Sequence, residues 1–312
     1  MTTPAVSVLM PVYNAERYLE QSVESILAQS FSDFEFVIIN DGSTDSSLAR
    51  LSHYAERDRR IRLYSRPNAG CVKTLIELVP LARGRYLARM DADDVSLTRR
   101  FERQVCFLED HPEYVAVGSK VLLIDTEGAP LKYMGELERH EQIDAAHMRG
   151  EGGAIIHPAA MIRTEAMRAI GSYRLRRDED LDLFLRLAEY GKVANLPEVL
   201  LHYRQHPASI GHQNYAEMVV SVREAVAQAR VRRQLPPLQG SERLALDGHP
   251  WDGQMKAAEL HKKWAWWALQ GGHPASARKH ALVALREDPL SLESWRVAVH
   301  AVRGTLKSLI TV

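Results

Sequence analysis

The residues best placed to do chemistry in this 312-residue chain are aspartates, and Asp91-Ala92-Asp93-Asp94 puts three of them within four positions. Hard divalent cations such as Mn2+ and Mg2+ take carboxylate oxygens, completed by phosphates and water. On an extended backbone Asp91 and Asp93 point to the same side, and Ala92 is small enough to let phosphates approach. The same run also fits a solvated turn or a helix cap, with Asp94 helping to begin a helix near Thr98. A second acidic run, Asp178-Glu179-Asp180-Leu181-Asp182, precedes Leu183, Phe184 and Leu187 at helical spacing. A carboxylate held there can take the proton of an attacking hydroxyl at neutral pH, more readily if Asp178 and Asp182 crowd Asp180 and raise its pKa. Favourable charge at a helix N-terminus is the plainer role for the same residues.

The elements that must hold these groups follow from periodicity. Val6 to Met10 is a short β-branched and apolar run stopped by Pro11, and Leu19, Val23, Ile26 and Leu27 form a helical stripe over Tyr18 to Gln29. Phe34 to Ile39 is a second strand, ending in the turn Asn40-Asp41-Gly42-Ser43, with a helix after Thr44 or Asp45. Ile61 to Tyr64 and Tyr86 to Met90 are two more strands, with a helix from about Val72 between them. Strand and helix alternating with nearly continuous apolar strands predict an α/β fold, a mostly parallel, Rossmann-like sheet flanked by helices. In such sheets ligands bind beyond the carboxyl ends of the strands. Three segments lie there: Pro11-Val12-Tyr13-Asn14, Asn40-Asp41-Gly42-Ser43 and the aspartate cluster. Together they offer a ring, a carboxylate and a carboxylate cluster, which suit the base, ribose and diphosphate of a nucleotide. Neither GxGxxG nor GxxxxGK[ST] is present, so a diphosphate needs another neutralising group, and a divalent cation is the natural one.

Composition bounds the rest. With 46% hydrophobic and 26% charged residues the chain fits one large or two modest globular domains. Its 40 basic and 40 acidic residues cancel, which argues against nucleic acid as a partner. The basic excess lies in the tail, where residues 216–312 carry 14 basic and 9 acidic groups. Cys71 and Cys106 match no zinc or disulfide spacing and are expected to be buried thiols in a reducing, cytoplasmic setting. No run is long and apolar enough to span a bilayer, so membrane contact is expected only at the periphery, at the inner face.

Several segments together resemble the family 2 glycosyltransferases of the GT-A fold. They are VSVLMPVYNAERYLEQSVESILAQSFSDFEFVIINDGSTD, RPNAG, GRYLARMDADD, IIHPAAMIR, DEDLDLFLRL and YRQHPASI, covering about residues 5–211 in the family's order. The resemblance implies an inverting transfer of a sugar from a nucleotide diphosphate sugar, UDP-linked by family habit, to a glycan or lipid-linked acceptor in polysaccharide or glycoconjugate synthesis. It places Pro11 and Tyr13 against base and ribose, Asp41 as an acceptor from the base, Asp91 on the ribose or a metal-bound water, and Asp93 on the metal. Asp180 becomes the catalytic base, with Glu179 and His157 on the acceptor side. Arg204 neutralises the leaving diphosphate and His206 completes the metal site. Asn40 departs from the acidic residue many relatives carry, leaving Asp41 the sole carboxylate of its turn. Residues 1–110 are expected to form the nucleotide-sugar half, 111–212 the acceptor half, and 213–312 a C-terminal helical region.

The tail reads as three amphipathic segments, 254–270, 274–286 and 291–303, following a linker marked by Pro236, Pro237, Gly240 and Gly248. Trp264, Trp266 and Trp267 beside Lys262 and Lys263 fit either an interfacial membrane anchor or a helix packed on the rest of the protein. Oligomerisation through these helices is a further expectation. Two other functions are compatible in outline: a catalytically silent scaffold working through the tail, and a nucleotidyltransferase, which would need a glycine-rich loop that Pro11 to Arg17 lacks.

Overall fold

The structure, a computed structural model, describes residues 3–174, 179–207, 215–238, 244 and 256–310, with backbone alone at 179, 215–217 and 305–310. Strands β1 (Val6–Val12), β2 (Phe34–Asp41), β3 (Ile61–Arg66) and β4 (Tyr86–Arg89) alternate with helices α1 (Leu19–Leu27), α2 (Ser47–Arg57) and α3 (Cys71–Leu81). All four strands run parallel, with β2 and β4 on either side of β1 and β3 outside β2. Every residue of β2 is buried, and up to Asn40 its sequence is apolar except for Glu35, which accepts from Ser7 at 2.7 Å and pairs with Arg62 at 2.8 Å. α1 buries Leu19, Val23 and Ile26 of the predicted stripe, and its fourth member, Leu27, is half-buried.

Pro11 does not end β1. It pairs in register with Ile39 of β2, while β4 stops opposite Leu9. The backbone of Leu9 faces β4, its carbonyl accepting from the Met90 N–H at 3.1 Å. Pro11, two residues on, faces the same side, where no strand remains, so its missing N–H costs no ladder bond. Cys71 is half-buried at the start of α3 and Cys106 is exposed, which corrects the expectation of two buried thiols. Cys106 falls on the outer side of its helix, its thiol 3.4 Å from the Asp110 carboxylate.

The chain continues through β5 (Val95–Ser96), α4 (Arg100–Asp110), β6 (Tyr114–Ile124), β7 (Pro130–Met134) and α5 (His140–Met148). A single 3-10 turn at His157–Ala159 leads to β8 (Met161–Arg163), α6 (Thr164–Ala169), α7 (Glu179–Tyr190), β9 (Lys192–Arg204) and α8 (Tyr215–Arg232). The sheet order is β3-β2-β1-β4-β8-β6-β9-β5, with β7 paired to β6. β8 is antiparallel to both β4 and β6, and β5 to β9, so an antiparallel half extends the parallel one.

Two compact units result, neither continuous in sequence. The first comprises Met1–Val121, Gly135–His202 and Glu217–Gly248, and the second Leu122–Met134, Tyr203–Ala216 and His249–Val312. In the first unit, Leu9, Val37 and Ile39 of the sheet pack with Leu75 and Leu78 of α3 and Phe184 and Leu187 of α7. The opposite side of α7, through Leu181 and Leu185, packs on Val222, Val226 and Ala229 of α8. α7 is thus fixed from two directions.

The second unit contains α9 (Ala257–Gln270), α10 (Pro274–Glu287) and α11 (Leu292–Ile310), close to the predicted segments. The tryptophans of α9 are buried or half-buried in packing, as the second of the two expectations for them has it. Trp264 is 1% exposed, the Trp266 indole donates to Glu293 at 3.0 Å, and Lys132 and Lys263 each sit 4.6 Å from the Trp267 ring. Gly271 allows α9 to end against the β7 hairpin, since a Cβ there would lie 2.2 Å from the Leu131 carbonyl oxygen. Asp125, fully buried in the β6–β7 turn, joins these pieces. One carboxylate oxygen accepts from the Glu127 and Ala129 amides at 2.9 and 2.8 Å, and the other from Lys279 at 2.5 Å. His280 Nε2 lies 3.1 Å from that second oxygen, and its Nδ1 is 2.9 Å from His261 Nδ1. One ring must donate across that contact and the other accept, so their tautomers are matched.

Candidate active site

Within the first unit the strand order reverses at β1, with β2 and β3 to one side and β4 to the other. Such a reversal opens a crevice at the carboxyl ends of the strands. The loop after β1 carries Tyr13, 52% exposed, beside the end of β2 at Asp41 and the loop after β4 at Asp91 to Asp94.

Side chains lock these loops together. Asn14, at a φ of 48°, accepts the Thr44 amide through its side-chain oxygen at 2.8 Å, and its own backbone amide donates to Ser43 Oγ at 3.0 Å. Asparagine tolerates that left-handed backbone better than a branched residue would. Glu16 accepts from the amide and hydroxyl of Ser46 at 3.1 and 2.7 Å. Gly42 is required where the β2 loop meets the next one, since its φ is 70° and a Cβ would stand 2.5 Å from the Asn68 nitrogen.

Asp41 is 2% exposed, and its carboxylate is surrounded by donors from the loop after β3. Arg66 pairs with it directly. The amides of Ala69 and Gly70 donate at 2.8 and 2.9 Å, and the Asn68 side chain makes a longer contact of 3.4 Å. Arg66 also donates to Thr74 at 2.9 Å and Glu77 at 2.6 Å on α3. Sequence reasoning gave Arg66 no role, although it opens the RPNAG segment that carried part of the family resemblance. Its position beside Asp41 follows only from the register of β3, in which Arg66 stands opposite Asp41.

The aspartate cluster is a turn, with no extended strand through it. The Asp94 amide approaches the Asp91 carbonyl at 3.5 Å, and Ser22 of α1 donates to the same carbonyl at 2.8 Å. This fold brings carboxylate oxygens of Asp91, Asp93 and Asp94 within 4.8 Å of one another, a spacing and donor set that suit a hard divalent cation. Asp94 is fully buried and caps no helix, because α4 begins only at Arg100. Two arginines lie beneath the turn. Arg89, 5% exposed, pairs with Asp91 and donates to the Met90 carbonyl. Arg100, wholly buried, donates to the Arg89 carbonyl at 2.8 Å and to Gln104 at 3.1 Å. Burial draws the Arg100 guanidinium down to about 9, with the Asp94 charge resisting, so it remains a cation at neutral pH. The Asp91 side chain keeps 29% of its exposure, yet the packed strand end beneath it strips enough water to push its carboxyl up. Arg89 opposes that rise and the Asp93 charge adds to it.

On α7, Asp180 is half-buried, and its carboxylate accepts the Leu181 amide at 2.8 Å. Asp182 is fully buried between Arg186, at 2.8 Å, and Arg174, at 3.5 Å. These two guanidinium groups oppose its charge. Asp178 lies outside the described residues, as does the side chain of Glu179. His157 is 7% exposed, its Nε2 2.8 Å from the Tyr173 hydroxyl. Burial, helped by the charge of Arg89, holds its imidazole neutral, well below the usual histidine range. Arg204 and His206 fall in the second unit. There Arg204 is buried, its guanidinium donating to the Asp125 carbonyl at 3.2 Å, and His206 is half-buried just past β9.

Comparison with known proteins gives this arrangement its kin. The model of the family described as Glycosyl transferase family 2 matches residues 7–171. The chain is 34% identical over 240 residues to the putative glycosyltransferase EpsE of Bacillus subtilis (strain 168), covering 75% of this chain and 84% of that protein. It is 32% identical over 209 residues to the O-antigen biosynthesis glycosyltransferase WbnJ of Escherichia coli, covering 65% and 81%. Residues 1–349 of S. aureus TarS, solved with UDP-GlcNAc, share the fold with a TM-score of 0.58 at 15% identity, over 95% of this chain and 79% of that one. The mannosyltransferase PcManGT of Pyrobaculum calidifontis, solved with GDP-Man and Mn2+, does so with a TM-score of 0.53 at 17% identity, over 99% and 88%. The matched model spans β1 through α6, the stretch that supplies the loops after β1, β2 and β4, and the chain belongs to glycosyltransferase family 2.

Proposed function

We propose that this glycosyltransferase inverts the anomeric centre as it moves a sugar from a nucleoside diphosphate, uridine diphosphate first, to a hydroxyl of a glycan or lipid-linked acceptor. Surface polysaccharide synthesis is the setting favoured by its relation to WbnJ. The observation that carries the proposal is the meeting of Tyr13, Asp41 and the Asp91–Asp94 turn at the reversal point of the sheet.

In this scheme Pro11 and Tyr13 line the base and ribose, and the exposed Tyr13 ring offers a stacking face. Asp41 accepts an N–H of the base in place of the most distant of its present donors, Asn68 at 3.4 Å. Asp91 and Asp93 would hold Mn2+ or Mg2+, which when bound supplies charge compensation to the diphosphate. PcManGT, solved with Mn2+, and TarS, solved with UDP-GlcNAc, support the cation and the uridine nucleotide respectively. Asp180 takes the proton of the acceptor hydroxyl while that oxygen attacks the anomeric carbon. The bond from that carbon to the diphosphate oxygen breaks in line, and the electron pair leaves with the nucleotide. Glu179 stands beside Asp180 on the acceptor side. His157, neutral and buried, acts through Tyr173 as a positioning residue. The roles of Arg204 and His206 rest on the family's sequence order.

The test is a thermal-shift and hydrolysis screen of UDP-, GDP- and dTDP-sugars with Mn2+ or Mg2+, with Asp93→Ala beside the wild type. Stabilisation by a UDP-sugar only when the cation is present, lost in the variant, is the expected result. Cation-independent binding that Asp93→Ala leaves unchanged would overturn the metal assignment.

A further inference from the structure

Helix α11 is amphipathic in a way that the packing of the second unit does not use. Its buried residues, Ser294, Val297 and Ala301, lie on one side. On the other, Leu292 is 87% exposed, Trp295 56%, Val299 44% and Val302 57%, and Leu290 in the preceding turn is 93% exposed. Spacings of three and four residues put the helical members on one stripe. Scattered apolar side chains on a surface are ordinary, but a continuous stripe with an indole at one end is an interaction face. The indole is preorganised, since Trp295 Nε1 donates to the Pro289 carbonyl at 2.9 Å and fixes the ring beside the turn.

Charge identifies what covers the stripe. Arg296 and Arg303 flank it and are exposed. Over residues 289–312 the sequence has three basic residues and one acidic. The acidic residue, Glu293, is already engaged by the Trp266 indole at 3.0 Å and by Arg296 at 3.5 Å. Isologous pairing of two copies would set these arginines against their own kind with little to neutralise them. Anionic headgroups would neutralise them directly.

We propose that this face of α11 lies on an anionic bilayer surface, with the apolar stripe at the acyl boundary, the Trp295 indole at headgroup level, and Arg296 and Arg303 on lipid phosphates. This is the behaviour of an interfacial amphipathic helix. No helix among the described residues is long and apolar enough to cross a membrane, so the contact is peripheral.

The test uses the full chain and vesicles of phosphatidylcholine, with or without about a third phosphatidylglycerol. Cosedimentation with the anionic vesicles is expected, at least tenfold stronger than with phosphatidylcholine alone and weakened by salt. Arg296→Glu with Arg303→Glu should reduce binding by about a hundredfold. Trp295→Ser with Val299→Ser should reduce it by at least about tenfold, with unchanged thermal unfolding because these side chains are exposed. Absence of binding to anionic vesicles at low salt, or binding by either double variant as strong as that of the unsubstituted protein, would overturn the proposal. So would a dimer in sedimentation equilibrium that Trp295→Ser with Val299→Ser abolishes, since that result assigns the face to a second copy.

Discussion

Asp180 and Asp41 are carboxylates in unlike surroundings, and the proposed function gives them unlike roles. Asp180 sits half-buried at the start of a helix, and its removal as a base is expected to slow transfer without disturbing the donor. Asp180→Asn should therefore retain nucleotide affinity while turnover falls ~10² to 10⁴-fold, measured by calorimetry and initial rates. Near-normal turnover would exclude it. Asp41 is buried under Arg66 and the amides of Ala69 and Gly70, which hold its oxygens in one orientation. Arg66→Met should cost roughly 1.5–3 kcal/mol of nucleotide affinity, a loss of tenfold or more in Kd, with kcat at saturation little changed. Asp41, Asp93 and Asp180 are candidates from sequence because each lies in a segment that resembles a motif of the family. Arg66 could not, because an arginine at a strand end is common and its partner comes from a different strand.

At the level of elements, the site depends on how α7 is held. Asp182 and Arg186, one helical turn apart and both buried, form an ion pair at 2.8 Å, and Arg186 also donates to the Ile170 and Ser172 carbonyls at 2.9 and 2.8 Å. These bonds tie the first turn of α7 to the end of α6. Arg186→Met takes from the buried Asp182 carboxylate its partner at 2.8 Å, and should cost about 3–5 kcal/mol in urea unfolding. A variant with unchanged unfolding would show that Asp182 finds another partner. Periodicity revealed α7, since Leu183, Phe184 and Leu187 recur on one face. It said nothing about Asp182, whose charge is cancelled by a residue one turn on and by Arg174 from the preceding loop.

For the molecule as a whole, buried histidines set its response to acid. His147, 1% exposed, lies 5.7 Å from the Phe184 ring, and burial lowers its pKa from 6.5 to about 4, with Arg233 adding to the effect and Asp144 opposing it. His261, in the second unit, is drawn down to about 4 by burial and by the charges of His280 and Lys279. A histidine with a lowered folded pKa binds its proton more tightly when unfolded. Its stabilising contribution is complete above about pH 6.5 and is lost as the pH falls toward 4. Each such group should steepen the loss by about 1.4 kcal/mol per pH unit in that window. His147→Leu should flatten the dependence of unfolding free energy between pH 6.5 and 5, and an unaltered slope would remove His147 from the account. At lower pH the buried Asp125 contributes in the opposite sense of charge. Despite its burial, bonds from His280 and Lys279 hold its carboxyl below the usual range, so its stabilisation persists into acid before it is lost.

The parallel half of the fold, the helical tail, the three loops at the strand ends and the family could all be read along the chain. Those follow from local rules: apolar period, turn residues, and a string of motifs read in order. Packing in three dimensions set the division into two units, because Leu122–Met134 joins the tail across more than a hundred intervening residues. It also decided that the aspartate cluster is a turn backed by Arg89 and Arg100, that His157 is buried against Tyr173, and that the α9 tryptophans pack inward while α11 turns its apolar stripe to solvent. Each of these depends on which side chains meet after distant segments pair. Spacing along the chain fixes the face a residue occupies on its own element, and packing alone fixes what that face meets.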